Sequence, residues 1–282
     1  MNRRQFLSIA GAFAGCAGNM IDACAIAHFN TSPAVDSLVL VDLDGGNDAL
    51  NTVIPIADPR YRALRPTLAI PNDHALMLDE HTGLHPSLRP LMSAWRAKDL
   101  AIVQGIGYDA PNRSHYRSRQ IWDTASHADE YRTDGWLDHV NGVHARGIKV
   151  THITLHGFDT HEHQLHRHAA LLAELGECLA SLRASLIASG AWRRTLVMTR
   201  SEFGRAAREN AAGGTEHGAA AAHFVMGGCV RGGLYGTPPR LDRLDADGGL
   251  SVDVDFRRLY ATVLDACGQN DCIFEPLPII RV

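Results

Sequence analysis

The six cysteines form neither a Cys-x-x-Cys pair nor a zinc-knuckle spacing, so a thiolate metal site lacks its donors. Positive charge is not in excess either: Lys plus Arg is 27 against 31 for Asp plus Glu, a formal net charge of -4. Without a basic field there is no electrostatic footprint for a polyanion, which argues against nucleic acid as a partner. No segment supplies the roughly 20 apolar residues that a membrane-spanning helix needs. The best candidate, Phe6 to Gly18, is short and interrupted. Internal repeats, low-complexity tracts and linkers are also absent. What is present is an ordinary globular composition, 45% hydrophobic and 21% charged over 282 residues, enough for a sizeable core. Histidine is the unusual count, with 16 in all, of which His152, His156, His161, His163, His166 and His168 share one short stretch.

Arg3-Arg4 precede the small-residue run from Phe6 to Gly18, and Ala23-Cys24-Ala25 or Ala25-Ile26-Ala27 suits a signal peptidase. This resembles a twin-arginine export signal, which implies the twin-arginine machinery as a partner and a periplasmic or secreted location. The alternative use of the segment is a short membrane anchor or a lipid on Cys16. The expected division is a signal over 1–27 and one domain over 35–282. Removal of the signal leaves Cys178, Cys229, Cys267 and Cys272, and in an oxidising compartment Cys267 and Cys272 are the pair expected to join.

Short apolar runs at Ser37–Leu43, Leu100–Val103, Ile148–Leu155, Thr195–Thr199 and His223–Met226 lack strict alternation, as strands buried on both faces do. Between them, Leu165, His168, Leu172, Leu175, Leu179, Leu182 and Leu186 step by three and four along one helix face, and Ser189-Gly190 ends it. Further helices are expected over Ser87–Lys98, Tyr116–Thr124 and Phe256–Ala266. This alternation predicts an α/β fold, a mostly parallel sheet sandwiched between helices. Ligands of such sheets sit beyond the carboxyl ends of the strands, where the polar clusters of this sequence fall.

Asp44-Gly-Gly-Asn-Asp48 offers carboxylates on a turn that a bound ion can approach, although a tight solvated turn uses the same residues. Asp159-Thr-His161-Glu-His163 supplies a hard oxygen donor and imidazoles within five positions, which is metal-ligand chemistry. Its plainer reading is an N-cap followed by exposed histidines, and His166 and His168 are assigned to surface or packing. Ser201-Glu202-Phe203-Gly204-Arg205 and Thr215-Glu216-His217-Gly218 gain force only from their position beyond the strands. Pro111-Asn112-Arg113-Ser114-His115 opens a helix, where the dipole, Arg113 and His115 favour Ser114 as a nucleophile; the plainer role for Asn112 or Ser114 is the N-cap.

These residues fall in LDGGNDALNTVIP (43–55), GIGYDAPNRSHYRSRQIW (105–122), DGWL (134–137), GFDTHEHQ (157–164), SEFGR (201–205), GGTEHG (213–218) and DFRRLYATVLD (255–265). In this order they resemble the exported bacterial proteins grouped as domain of unknown function 1501, relatives of the alkaline phosphatase superfamily. The resemblance implies an alkaline phosphatase-like core, somewhat shortened between Trp136 and Asp159, and one or two divalent metals, usually zinc. By position, Asp44, Asp159, His161 or His163, Glu202 and His217 resemble the metal ligands, and Ser114 resembles the nucleophile. Arg113 or Arg205 is then expected to hold the remaining phosphoryl oxygens. Glu202-Phe203 stands where the superfamily has Asp-His, which removes one imidazole and weakens the case for a second metal. The missing proline in Arg113-Ser114-His115-Tyr116-Arg117 disfavours formylglycine-type sulfatase chemistry.

The expected function is therefore an exported, metal-dependent hydrolase of phosphate-type, less so sulfate, esters that takes a small-molecule ester substrate. The rival is a non-catalytic envelope protein that keeps the scaffold with one structural metal or none. A metal-dependent mutase or transferase using the same site is the third reading.

Overall fold

A computed structural model describes residues 34–137, 147–268 and 273–281. The export segment, Cys16, Cys24 and the Cys272 half of the expected disulfide lie outside the described residues, while Cys178 and Cys229 are unpaired.

The main strands are β1 (Ser37–Asp44), β2 (Leu100–Gly107), β3 (Lys149–His156) and β4 (Thr195–Arg200), followed by the short ribbon β5 (Arg205–Glu209) and β6 (Thr215–His217), then β7 (Ala221–Met226), β8 (Gly233–Gly236) and β9 (Val254–Asp255). The central sheet runs β8-β2-β7-β4-β1-β3, and β9 also pairs with β2. β1 is parallel to β3 and β4, and β8 and β9 are parallel to β2; β7 alone is antiparallel to its neighbours. The chain returns from β4 to β7 through the ribbon, with no helix to form the crossover a parallel return requires.

Three helices cover the sheet: α1 (His115–Thr124), α2 (Gln164–Ala188) and α3 (Phe256–Ala266). Val39, Val41 and Leu43 of β1 pack with Leu172, Leu175, Leu179 and Leu182 of α2 on one face. Leu38 and Leu40 pack on the other with Ile121 and Trp122 of α1 and Phe256, Leu259 and Val263 of α3. Both faces of β1 are thus buried, which is why its sequence is a continuous apolar run. The fold is α/β with a mostly parallel sheet between helices, as the alternation of elements implies.

Two local expectations change. β3 is an edge strand paired only with β1, and Lys149, His152, Thr154 and His156 along it are exposed rather than buried on both faces. Ser87–Lys98 is a 3-10 turn over Pro86–Leu91 followed by a short α-helix over Met92–Arg96. Pro90 lacks the amide hydrogen that a regular helix needs there.

His85, His168 and His223 are buried in this scaffold. Burial pushes their ring pKa values down, to about 4 for His85 and His168 and to about 3 for His223, with Asp48 opposing the shift at the first two. Both His223 nitrogens lack a hydrogen-bond partner among the described residues. Because the folded values lie below the ordinary 6.5, the unfolded chain binds these protons first. Stability is then at full strength above about pH 6.5 and falls toward pH 4, by up to about 1.4 kcal/mol per pH unit for each ring. Melting temperature against pH should show this fall, and His223→Phe should make it shallower by close to one proton. An unchanged slope in that variant would contradict the assignment.

Candidate metal centre

The carboxyl ends of β1, β3 and β4 lie side by side, since Asp44 pairs in register with His156 and Asp42 with Arg200. The loops that follow these strands are in direct contact. Gly45 has φ +122, and a Cβ there would stand 2.2 Å from the Asp159 amide nitrogen, so only glycine lets the β1 loop meet the β3 loop this closely. The β5–β6 ribbon closes the third side: Asn210 donates to the His161 carbonyl at 2.9 Å, and the Thr215 amide donates to the Thr160 carbonyl at 3.2 Å.

One His, Asp and His group converges here. Ligand atoms of His115, Asp159 and His217 all lie within 4.8 Å of one another, the single such group of three or more among the described residues. His115 opens α1, Asp159 follows β3 and His217 ends β6. The Nε2 of His217 is 3.1 Å from Asp159 Oδ1, and the Nε2 of His115 is 3.5 Å from Asp159 Oδ2. His161 stands beside them, its Nε2 3.1 Å from Asp159 Oδ1 and 2.9 Å from His217 Nε2.

The outward nitrogens determine what these rings can do. His217 Nδ1 donates to the Arg113 carbonyl at 2.8 Å and His115 Nδ1 to Glu202 at 2.8 Å, while His161 Nδ1 faces Glu216 Oε2 at 3.1 Å. A carbonyl or carboxylate oxygen only accepts, so each Nδ1 carries the hydrogen. In the neutral rings each Nε2 then presents a lone pair, and the three lone pairs gather around one carboxylate. Two lone pairs 2.9 Å apart repel unless a proton or a cation lies between them. Imidazoles whose second nitrogen is anchored to an oxygen are the usual support of metal-ligating histidines. The residues present therefore fit a divalent cation.

Electrostatics agree. Partial burial raises the Asp159 carboxyl, but the hydrogen bond and charge of Arg205, with the neighbouring His217 and His161 imidazoles, outweigh it and hold its pKa down at about 2. Burial lowers the pKa of His217 against the opposing pull of the Arg113 carbonyl and the Asp159 carboxylate, which favours the neutral ring that a cation needs. Phe203 lies under the imidazoles, its ring centroid 4.9 Å from that of His115 and 4.4 Å from that of His217.

The other expected residues take different places. Glu202 is buried with its oxygens committed to the Gly45 amide, His115 and Arg119, so it orients His115 rather than belonging to the converging group. Asp44 is held by His156 Nδ1 at 2.7 Å and by Arg119. His163 is exposed at the start of α2 with φ 49, away from the cluster, although its amide binds the Ala212 carbonyl. The Arg113 side chain is paired with Asp245 and Asp247, leaving its carbonyl as its contribution to the centre. Arg205 is wholly buried and bonds the carbonyls of Gly45, Gly46, Phe158 and Thr215 as well as Asp159, so it fastens loops together instead of meeting a substrate. Ser114 is the exposed N-cap of α1 and makes no capping bond with its side chain. Asp48 is buried on Arg65 and takes no part in the centre.

His115 carries the largest change: placed by sequence beside the nucleophile as a catalytic group, it stands in the donor set. Arg119 and Glu216 had no assigned role. A four-residue step from His115 to Arg119 along one helix face is the signal that links the first of them to the site. Next to the donor set, a cleft of about 210 Å³ is lined by Asp44, Arg119, Trp122, Thr154, His156 and Glu202, among others.

Gly214 tests how the ribbon sets His161. A Cβ there would lie 2.2 Å from the His161 carbonyl carbon and oxygen. Gly214→Ala should displace that backbone and weaken cation binding by about 10-fold or more, the scale of losing a supporting contact, as read by metal titration. Unaltered affinity would show that the ribbon contact does not set the ligand geometry.

The family model described as "Protein of unknown function (DUF1501)" matches residues 141–272, a stretch that includes Asp159, His161, Glu202 and His217 but not Asp44, Ser114 or His115. No curated protein matches the chain.

Proposed function

With residues 141–272 matching the family model described as DUF1501, we propose that the protein is an exported hydrolase of phosphate-type esters that holds one divalent cation on His115, Asp159 and His217, with His161 as the fourth donor. The observation carrying this reading is the convergence of the Nε2 atoms of His115, His161 and His217 on Asp159 while each Nδ1 faces an oxygen. A nitrogen-rich set with one carboxylate suits zinc better than magnesium or calcium, which prefer oxygen donors. When bound, the cation supplies Lewis acidity toward an ester oxygen.

The chain's own groups do the rest. Ser114 lies between Arg113, whose carbonyl fixes His217, and His115, so the exposed hydroxyl and the donor set are coupled through adjacent backbone. Its position at the N-terminus of the ten-residue α1 favours a negatively charged reacting group. In the proposed reaction the Ser114 oxygen gives up its proton to solvent and attacks phosphorus, the P–O ester bond breaks as the leaving oxygen takes a proton from water, and a second water then hydrolyses the phosphoserine to phosphate and free Ser114. The adjoining cleft, with Arg119 and Thr154 on its walls, receives the leaving portion of the substrate. The twin-arginine-like start is the basis for export.

Protein purified without chelator should contain zinc or a related ion and hydrolyse an aryl phosphate; dialysis against a chelator should remove both properties, and the ion should restore both. A chain that rebinds no ion overturns the metal centre. Ion binding without turnover across aryl phosphate and sulfate esters overturns the hydrolase and leaves the non-catalytic scaffold.

A further inference from the structure

Asp44 ends β1 and Glu202 follows β4, so parallel neighbouring strands bring two carboxylates together beside the donor set. The family resemblance implied these two as metal ligands. The group between them is a side chain: Arg119 Nη2 is ion-paired with Asp44 Oδ1 and lies 3.3 Å from Glu202 Oε1, with Nε 3.4 Å from the same oxygen. The remaining capacity is also spoken for. His156 Nδ1 is 2.7 Å from Asp44 Oδ2, and the Gly45 amide donates to Glu202 Oε1 and Oε2 at 3.0 and 3.2 Å. Neither Asp44 nor Glu202 joins any group of three potential ligands among the described residues. A second ion does not fit these residues as they stand.

We infer that the Arg119 guanidinium occupies the second cation position, so that the centre takes one metal ion and Arg119 serves permanently where another ion would otherwise bridge Asp44 and Glu202. Glu202 is only 4% exposed, and a buried carboxylate stripped of its cation is costly. Some positive group must stand there, and helix geometry delivers one. Arg119 lies one turn beyond His115 on α1, so the element that contributes a donor to the first cation site also fills the second. Arg119 is 47% exposed and lines the 210 Å³ cleft. Its charge therefore faces that cleft, where it can meet an anionic oxygen by bidentate or single hydrogen bonds. A guanidinium cannot be exchanged or chelated away, so this charge persists when the ion on His115, Asp159 and His217 is lost.

The inference rests on the proposed metal centre, and metal counting separates the two. The full chain is saturated with zinc, freed of loose ion and analysed for metal per folded chain, alongside Arg119→Met, which keeps the aliphatic stem, and Arg119→Lys, which keeps the charge. Folding of each variant is checked by its melting transition. Expected are one ion for the native chain, two for Arg119→Met and one for Arg119→Lys. The added ion should disappear when Asp44→Asn is combined with Arg119→Met. Two ions in the native chain, or a single ion in folded Arg119→Met, overturns the role of Arg119 while leaving the metal centre standing. No ion in the native chain overturns the metal centre itself.

Discussion

Ser114→Ala is expected to lower turnover of an aryl phosphate by about 10³-fold or more, the scale of removing a covalent nucleophile, without changing the metal content of the chain. The two readouts separate because Ser114 makes no capping bond with its side chain and its amide is satisfied by Asn112 Oδ1 at 2.9 Å. The hydroxyl is therefore dispensable for the helix start, and the melting temperature should stay within about 1 °C, since exposed substitutions away from special features cost little. His217→Ala should behave in the opposite way, losing the ion first and turnover as a consequence. Steady-state kinetics with metal analysis on both variants checks the pair. Retained turnover in Ser114→Ala would remove the nucleophile assignment and shift attention to direct attack by water.

Asp48→Ala should be among the most destabilising single changes, by about 3–5 kcal/mol, the cost of stripping a buried charge of its partner. Asp48 and Arg65 are 1% and 0% exposed and 2.5 Å apart. Desolvation raises the Asp48 carboxyl, yet the Arg65 charge and hydrogen bond prevail and its pKa is lowered. The same carboxylate accepts from Gln164 at the start of α2 and from the Leu50 amide, while Arg65 bonds the Ala206 and Ala207 carbonyls of β5. One ion pair thus ties the β1 loop to α2 and the ribbon. For a domain of this size the loss corresponds to a fall in melting temperature of roughly 10 °C. Thermal and denaturant unfolding of Asp48→Ala measure it, and a change below about 1 kcal/mol would mean that the remaining carbonyls satisfy Arg65 alone.

The two aspartates of Asp44-Gly-Gly-Asn-Asp48 show what local sequence leaves undecided. Asp44 ends the strand that Asp48 follows, and both are acids flanking a glycine-rich turn. One points its charge to the site rim and the other is sealed inside on an arginine 17 residues away. Nothing in the spacing separates them, because the difference is made by Arg65 and Arg119, which reach the turn from elements outside it. His161 and His163 pose the same problem at closer range. The ribbon bends back onto the His161 backbone through Asn210, whereas His163 adopts φ 49 and turns outward. Glu202 and His115 depart from their expected roles for a similar reason: a carboxylate that accepts the Nδ1 hydrogen of a histidine supports that ring, and only distances reveal which oxygen is engaged.

The alternation of short apolar runs with helical periods by itself determined the α/β class, the five principal strands, α2 and α3, because burial on two faces of a strand or one face of a helix marks the chain in a way that needs no partner to read. It also placed Asp159, His161 and His217 at the carboxyl edge of the sheet. The tertiary structure decided that His115 joins them, that Arg119 stands between Asp44 and Glu202, and that β7 runs against its neighbours. Those outcomes depend on which lone pair faces which hydrogen across loops dozens of residues apart, and hydrogen-bond direction leaves no periodic trace in the sequence.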